Sequence, residues 1–415
     1  MTRGAAAVTL HLAGLSRPVR LPPELVPVLA ACLTGWPPHP SPTGTAPLAR
    51  ITRQRGRFRF APATTAEPMG NLTGVGAICA LIAELAQARC ETPDIALGLH
   101  CAALDIGGRL AVLAGPARAG KTTLAVRLAQ EPGVRLFCDD VLPVRPDGRG
   151  MALGLAPRLR LPLPADAGPA LDRLAARHMG PSDHRYGYVP LPDQAPHGAL
   201  APLGALVLLD RRPGPAQLGR LPDSTGLRLA LAQSITRADS PGTALELAAQ
   251  AVRGLPALRL SYADLDQAAT LLARTLADPA LLAALPQVDP PPATGPDAPP
   301  AQPDQPLERS PGTARRGLPG ATYLWQPDEA ELWQLNPVAD AIWTLLEISG
   351  TPAEIAATLA EAFPAVPPAR IAQDTAALLG ALLAAGLVRP ALATEKNPAA
   401  RNENPHRTVS PMSPE

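Results

Sequence analysis

Chemistry in this chain begins at Gly115-Pro116-Ala117-Arg118-Ala119-Gly120-Lys121-Thr122-Thr123. The spacing is G-x-x-x-x-G-K-T, the pattern of a loop that cradles phosphate groups. Glycines let the backbone turn sharply and come close to a ligand. The unpaired N–H groups at the start of a following helix, together with its dipole, favour an anion there. Lys121 would reach the terminal phosphates, and the Thr122 hydroxyl would hold magnesium. Residues 115–123 are therefore the candidate nucleotide-binding segment. Of the 37 Lys and Arg residues only two are lysines, Lys121 and Lys396. A compact ammonium at the loop is a requirement that arginine does not meet.

Two further signals flank the loop. Asp139-Asp140 closes the apolar run Val134-Arg135-Leu136-Phe137-Cys138. Carboxylates at the C-terminal edge of a strand stand where open sheets bind ligands. One would take a proton from an attacking hydroxyl and the other would hold magnesium. His100 ends the run Ile95-Ala96-Leu97-Gly98-Leu99. By itself it reads as a structural histidine.

These residues need a scaffold. Leu110–Ala114 is apolar enough for a buried strand, and 124–129 is rich in helix formers, so strand, loop and helix follow in the order a phosphate loop requires. Across 95–145 strands and a helix alternate, which predicts a parallel or mixed sheet with helices on its faces. Residues 150–285 continue with APRLRLPLP, the polar stretch SDHRYGYVPL, a strand at 205–210, and helices near 225–253 and 263–285. His184 and Arg185 in the polar stretch are candidates for contact with substrate or phosphate.

The order His100, Asp105-Ile106-Gly107-Gly108, strand, loop, helix and Asp139-Asp140 resembles the HPr kinase/phosphorylase family. The likeness spans roughly 90–285 and is strongest over 99–145. It implies an α/β fold of the P-loop, phosphoenolpyruvate-carboxykinase/HPr-kinase-like type, with ATP and Mg2+ as cofactors. It also implies Asp139 as the base for a serine hydroxyl with His100 beside it, Lys121 on the phosphates, and Thr122 and Asp140 at the metal. A homo-oligomer is implied as well. Ala117 and Arg118 depart from the serine and glycine usual in that family. Its downstream HPr-recognition segment is not found, which points away from HPr and toward HPr-kinase-like proteins that accompany peptide-modifying genes.

At 415 residues, 46% of them apolar, the chain is long enough for two or three domains. Net charge is +1, which gives no push toward nucleic acid or membrane. No stretch reaches the 18 or more apolar residues of a membrane span. Five cysteines without metal spacing predict reduced thiols in a cytoplasmic protein. Residues 1–90 read as a strand-rich and helical subdomain, with a strand pair at the N-terminus and a helix over 72–91. Arg53, Arg55, Arg57 and Arg59 alternate with Phe58 and Phe60, which predicts one face of one strand. That face is either simply solvated or a surface for an acidic peptide. Residues 91–285 read as the nucleotide-binding domain.

Residues 286–319 hold 11 prolines, which predicts an extended linker. A second core follows over 320–390, where five of the chain's 12 aromatic residues fall. Two or three short strands precede three helices, with Asn336 as a cap, a capping box at Thr351 and Glu354, and Gly386 as a stop. A winged-helix DNA reader would be basic, but residues 321–390 carry two arginines against eight carboxylates. The segment is similar instead to PqqD-like domains, carried by Leu332–Asn336, Ala341-Ile342-Trp343, Glu354-Ile355 and Leu383–Val388. This implies a small, winged-helix-like α+β domain that takes the leader of a ribosomally made peptide by strand addition. Residues 391–415 read as a disordered tail. The joint expectation is an ATP-dependent Ser/Thr kinase acting on a precursor peptide held by residues 321–390. The other reading is a nucleotide-binding chaperone that presents the peptide to a partner modifying enzyme.

Overall fold

The computed structural model describes residues 6–41, 45–64, 66–164, 167–290, 298–329 and 331–391. They fall into two compact units, Met1–Ala293 with Arg315–Gln334, and Thr294–Ala314 with Leu335–Glu415.

The larger unit begins with a six-stranded sheet. Its strands are β1 (Val8–His11), β2 (Val19–Leu21), β3 (His39–Pro40), β4 (Ala49–Gln54), β5 (Arg57–Pro62) and β6 (Met69–Leu72), in the order β3-β1-β2-β4-β5-β6. Helix α1 (Val26–Cys32) and helix α2 (Gly74–Cys90) accompany it. The expected N-terminal strand pair and the helix over 72–91 are both present. Thr73 starts α2 by accepting the Gly76 N–H on its hydroxyl. The arginine alternation does not lie on one strand. Arg55 and Gly56 take positive φ of 49° and 82° and turn the chain, so β4 and β5 pair as a hairpin. Apolar side chains from the sheet and α2 form one core with Met151, Leu153, Leu155 and Tyr188 from further along the chain. Residues 1–90 therefore share their core with the rest of this unit.

Two close contacts hold that junction. Gly35 donates its N–H to the Gly154 carbonyl at 3.0 Å, and Gly154 has φ of +72°. A Cβ on Gly154 would stand 2.5 Å from the Gly35 carbonyl carbon, a backbone atom that cannot swing away. Gly154→Ala is expected to cost about 2 kcal/mol or more, read as a lower urea midpoint. Nearby, the Trp36 and His197 rings stack at 4.4 Å. Burial, then the Arg89 charge, pulls the His197 pKa from 6.5 down to about 4. The unfolded chain binds that proton more readily, so this stability is present above pH 6.5 and drains as pH falls toward 4. The urea midpoint should drop over that window, and His197→Phe should flatten the drop.

The central sheet carries the loop. Its elements are β7 (Leu97–Leu99), β8 (Ala102–Ile106), β9 (Arg109–Ala114), α3 (Lys121–Leu128), β10 (Val134–Cys138), β11 (Leu142–Val144), β12 (Arg149–Met151), β13 (Arg158–Arg160), α4 (Gly168–His178), β14 (Tyr186–Tyr188), β15 (Leu200–Arg211), β16 (Gln217–Arg220), α5 (Asp223–Gln233), α6 (Pro241–Ala251), β17 (Ala257–Tyr262), α7 (Leu265–Ala277) and α8 (Pro279–Ala283). The order is β10-β8-β9-β15-β12-β11-β7, with β17 beside β15 and β16 beside β17. The pair β13-β14 stands apart. The sheet is mixed: β9, β15 and β17 run parallel, and β8 runs against both β9 and β10. Strand β9 is buried on both faces, with Ala111 and Leu113 in one apolar cluster and Leu110 and Val112 in another. At eight residues α3 is too short to hold itself. Leu124, Ala125, Val126 and Leu128 are fully buried, each larger side chain worth about 1.5–3 kcal/mol, and this packing fixes where its N-terminus points.

After the middle of the chain come β18 (Leu307–Arg309), β19 (Ala314–Leu318), β20 (Ala321–Trp325), β21 (Trp333–Leu335), α9 (Pro337–Leu345), α10 (Pro352–Ala362), α11 (Pro368–Ala384) and β22 (Val388–Pro390). The stretch read as a linker, 286–319, departs from that reading in its second half. There β18 pairs with β22, and Ala301 is buried with its N–H bonded to the Ala376 carbonyl. Proline density hid this pairing because the partners are far apart in sequence. The sheet β19-β20-β21 lies almost wholly in Arg315–Gln334, the part grouped with the larger unit. There Ala321 and Tyr323 pack with Leu227, Ala230 and Leu245. In the smaller unit Asn336 caps α9, Thr351 and Glu354 form the expected capping box on α10, and Gly386 takes φ of 68° after α11. The tail read beyond residue 391 lies outside the described residues. Among the described residues no helix is long and apolar enough to cross a membrane.

Candidate active site

Strand direction explains why distant residues meet. Because β8 is antiparallel to β9 and β10, its start lies on the edge where those two strands end. His100 precedes β8, the loop 115–120 follows β9, and Asp139-Asp140 follows β10. Signals separated by as many as 40 positions thus converge on one sheet edge.

The loop has the shape its glycines allow. Gly115, Arg118 and Gly120 take φ of 153°, 69° and 90°. Gly120 caps α3 without any side-chain hydrogen bond to the helix. The first-turn N–H groups of Lys121, Thr122 and Thr123 have no helical acceptor, which leaves them for an anion. Lys121 Nζ folds over the loop and donates to the Gly115 carbonyl at 2.9 Å and the Pro116 carbonyl at 3.4 Å. Burial draws its ammonium below the usual lysine range. Pro116, Ala117 and Arg118 are exposed at the tip, and Ala119 and Gly120 are half-buried.

Beneath the loop the carboxylates are held individually. Thr122 Oγ1 donates to Asp139 Oδ1 at 2.8 Å, and the Arg158 backbone N–H donates to Asp139 Oδ2 at 3.1 Å. Asp139 is 3% exposed. Burial, then the Asp140 charge beside it, pushes its carboxyl up to about 7. The chain reverses at once: Val141 N–H bonds the Asp139 carbonyl at 2.9 Å and Asp140 takes φ of 70°. Asp140 Oδ2 accepts from the Arg158 guanidinium at 2.6 Å, and its Oδ1 lies 3.9 Å from His100 Nδ1. His100 Nδ1 is 3.0 Å from the Asp140 carbonyl. A carbonyl only accepts, so Nδ1 carries the hydrogen of this contact.

Sequence reasoning missed Arg158, which ties the group together. Its guanidinium lies 4.9 Å above the Tyr186 ring and also donates to Cys79 Sγ. Burial works against its charge, but Asp140, Cys79 and other neighbours outweigh that and raise its pKa. Nothing in APRLRLPLP marks it, because its role comes from tertiary contact. A cavity of about 280 Å³ opens on the group, with His100, Asp139, Asp140 and Arg158 on one side and Cys79, Ile82 and Ala86 of α2 among its apolar walls. His184 and Arg185 do not join it. Both are exposed in a turn organised by Asp183, which accepts the Arg185 and Tyr186 N–H groups, and neither lines the cavity.

The donors present fit ATP with magnesium. Among the described residues no group of three or more His, Cys, Asp or Glu forms a metal cage. Thr122 and Asp140 would instead offer the sparse oxygen set that suits Mg2+, which keeps waters and phosphate oxygens as its other ligands.

Comparison with known proteins bears on the C-terminal part. Residues 322–388 match the family model described as coenzyme PQQ synthesis protein D (PqqD). They form a PqqD domain. The match starts inside β20, in the part grouped with the larger unit, and ends at the first residue of β22, in the smaller unit. A solved structure, "TbiB1 in Complex with the TbiA(beta) Leader Peptide", is similar at 22% identity, covering 20% of this chain and 93% of that one, with a TM-score of 0.18. No curated protein matches the chain.

Proposed function

We propose that this chain holds a ribosomally synthesised precursor peptide on its PqqD domain and transfers a phosphoryl group from ATP to a serine or threonine hydroxyl of that peptide. The observation that carries the peptide half is the PqqD match over residues 322–388. Leader recognition is what such domains do, and the acidic balance of residues 321–390 suits a basic leader. The transfer half is supported by the meeting of Lys121, Thr122, Asp139, Asp140 and His100 at one sheet edge.

When bound, ATP with magnesium would supply the transferable phosphoryl group. The N–H groups of α3 and the Lys121 ammonium would bind phosphate oxygens, and Thr122 and Asp140 would hold the metal. Asp139 takes the hydroxyl proton. A carboxyl pushed up to about 7 is well matched to a general base near neutral pH. Arg158 orients both carboxylates, and the Asp140 carbonyl holds His100 through Nδ1. Holding the leader raises the local concentration of the acceptor to roughly millimolar order, so the pocket itself needs little affinity for the peptide.

Hydrogen exchange tests the recognition half. On adding the precursor peptide encoded nearest this gene, amides within 322–388 should slow. Unchanged exchange there, with slowing elsewhere, would place the peptide on another surface.

A further inference from the structure

The N-terminal sheet has one face in the core, and on the other the β4–β5 hairpin is exposed. The pairings Arg50↔Ala61, Thr52↔Arg59 and Gln54↔Arg57 put these side chains on the outer face of the β4–β5 hairpin, opposite Ile51 and Phe60. The neighbouring strand adds Arg20, paired directly with Arg50. Arg53 lies on the other face, where it meets Glu24. The outer face thus carries Arg20, Arg50, Arg57 and Arg59 on adjoining strands. Strands lie about 4.8 Å apart and diagonal neighbours about 7–8 Å, so these guanidiniums form one field. Arg50, Arg57 and Arg59 are exposed.

Two observations set this face apart from an ordinary solvated one. Among the described residues no carboxylate pairs with any of the four, and residues 1–65 hold eight arginines against a single acid, Glu24. Like charges facing each other across strands destabilise a sheet, and this one has no internal relief. The row also ends in unpaired polar atoms. Arg20 Nε and the hydroxyl of its cross-strand partner Thr9 are buried without hydrogen-bond partners, and Thr9 is 8% exposed.

We propose that this face is a docking surface for an acidic peptide segment, its carboxylates taken by the forked guanidiniums of Arg20, Arg50, Arg57 and Arg59. The proposal goes beyond the transfer reaction and stands without it. Arginine forks match carboxylates two bonds at a time. Single-stranded nucleic acid binds on aromatic platforms, and this face has none, since Phe58 and Phe60 point the other way.

The test is fluorescence anisotropy with the full chain and a fluorescein-labelled dodecapeptide of alternating Glu and Ser. Saturable binding that weakens with salt is expected. Combining Arg50→Gln with Arg59→Gln should weaken it about fivefold to tenfold, and the charge reversal Arg57→Glu should do at least as much. Arg173→Gln with Arg177→Gln on α4 should leave it unchanged. Thermal midpoints by circular dichroism confirm that each variant is folded. Absence of saturable binding, or binding indifferent to the hairpin variants, would overturn the proposal. So would a single-stranded RNA of the same length that binds more tightly and is lost in those variants.

Discussion

Asp139→Asn should lower phosphoryl transfer to the precursor peptide by about 10²–10⁴-fold in kcat, the span expected for removing a general base. The Kd for the peptide should stay within about twofold, because the PqqD domain lies elsewhere in the sequence. The exchange keeps the shape of the side chain. The amide oxygen can still accept from Thr122, or from the Arg158 N–H, so the fold around 139 is preserved. Proton acceptance is lost, together with the negative charge and one of the two acceptor oxygens. Lys121→Ala should give a comparable loss by a different route, since its ammonium would bind the phosphates and not the peptide. Rates come from time courses of peptide mass and Kd from titration of labelled peptide. A drop in peptide affinity that parallels the drop in rate would show that Asp139 holds the substrate and is not the base.

Arg158→Met is the substitution expected to cost most in stability, about 3 kcal/mol. Breaking one partner out of a buried pair typically costs 3–5 kcal/mol, and the lower figure applies because the Asp140 side chain is 39% exposed and water reaches it. The methionine keeps the stem but loses the bond to Asp140, the stack on Tyr186 and the contact with Cys79. Asp139 and Asp140 would then face each other without the guanidinium, with only the Lys121 charge left to offset them. Adding Asp140→Asn removes that repulsion, so the double variant should recover more than half of the loss in urea unfolding. Strict additivity of the two costs would mean that Arg158 acts through packing alone.

What could be read from the sequence follows the range of the forces involved. Strand, glycine loop and helix are local features, as are the capping box at Thr351 and the stop at Gly386, and all appear where their residues stand. The meeting of His100 with Asp140 is not local, yet it follows from one antiparallel strand. Arg158, Tyr186 and the α2 wall depend on contacts that no spacing encodes. The arginine alternation misled because a period of two continues across a tight hairpin. The Arg-Gly pair at 55–56 was the available signal of a turn. In 286–319 proline density suggested an extended chain, while Leu307–Arg309 finds its partner at Val388–Pro390.

The most direct measurement combines the purified full chain, ATP, magnesium and the precursor peptide, and weighs the peptide by mass spectrometry. The account predicts a gain of one phosphoryl group, about 80 Da, that requires ATP and vanishes in Lys121→Ala. A peptide that binds through residues 322–388 yet returns at its original mass would contradict transfer, leaving the chain a nucleotide-binding presenter of the peptide to another enzyme.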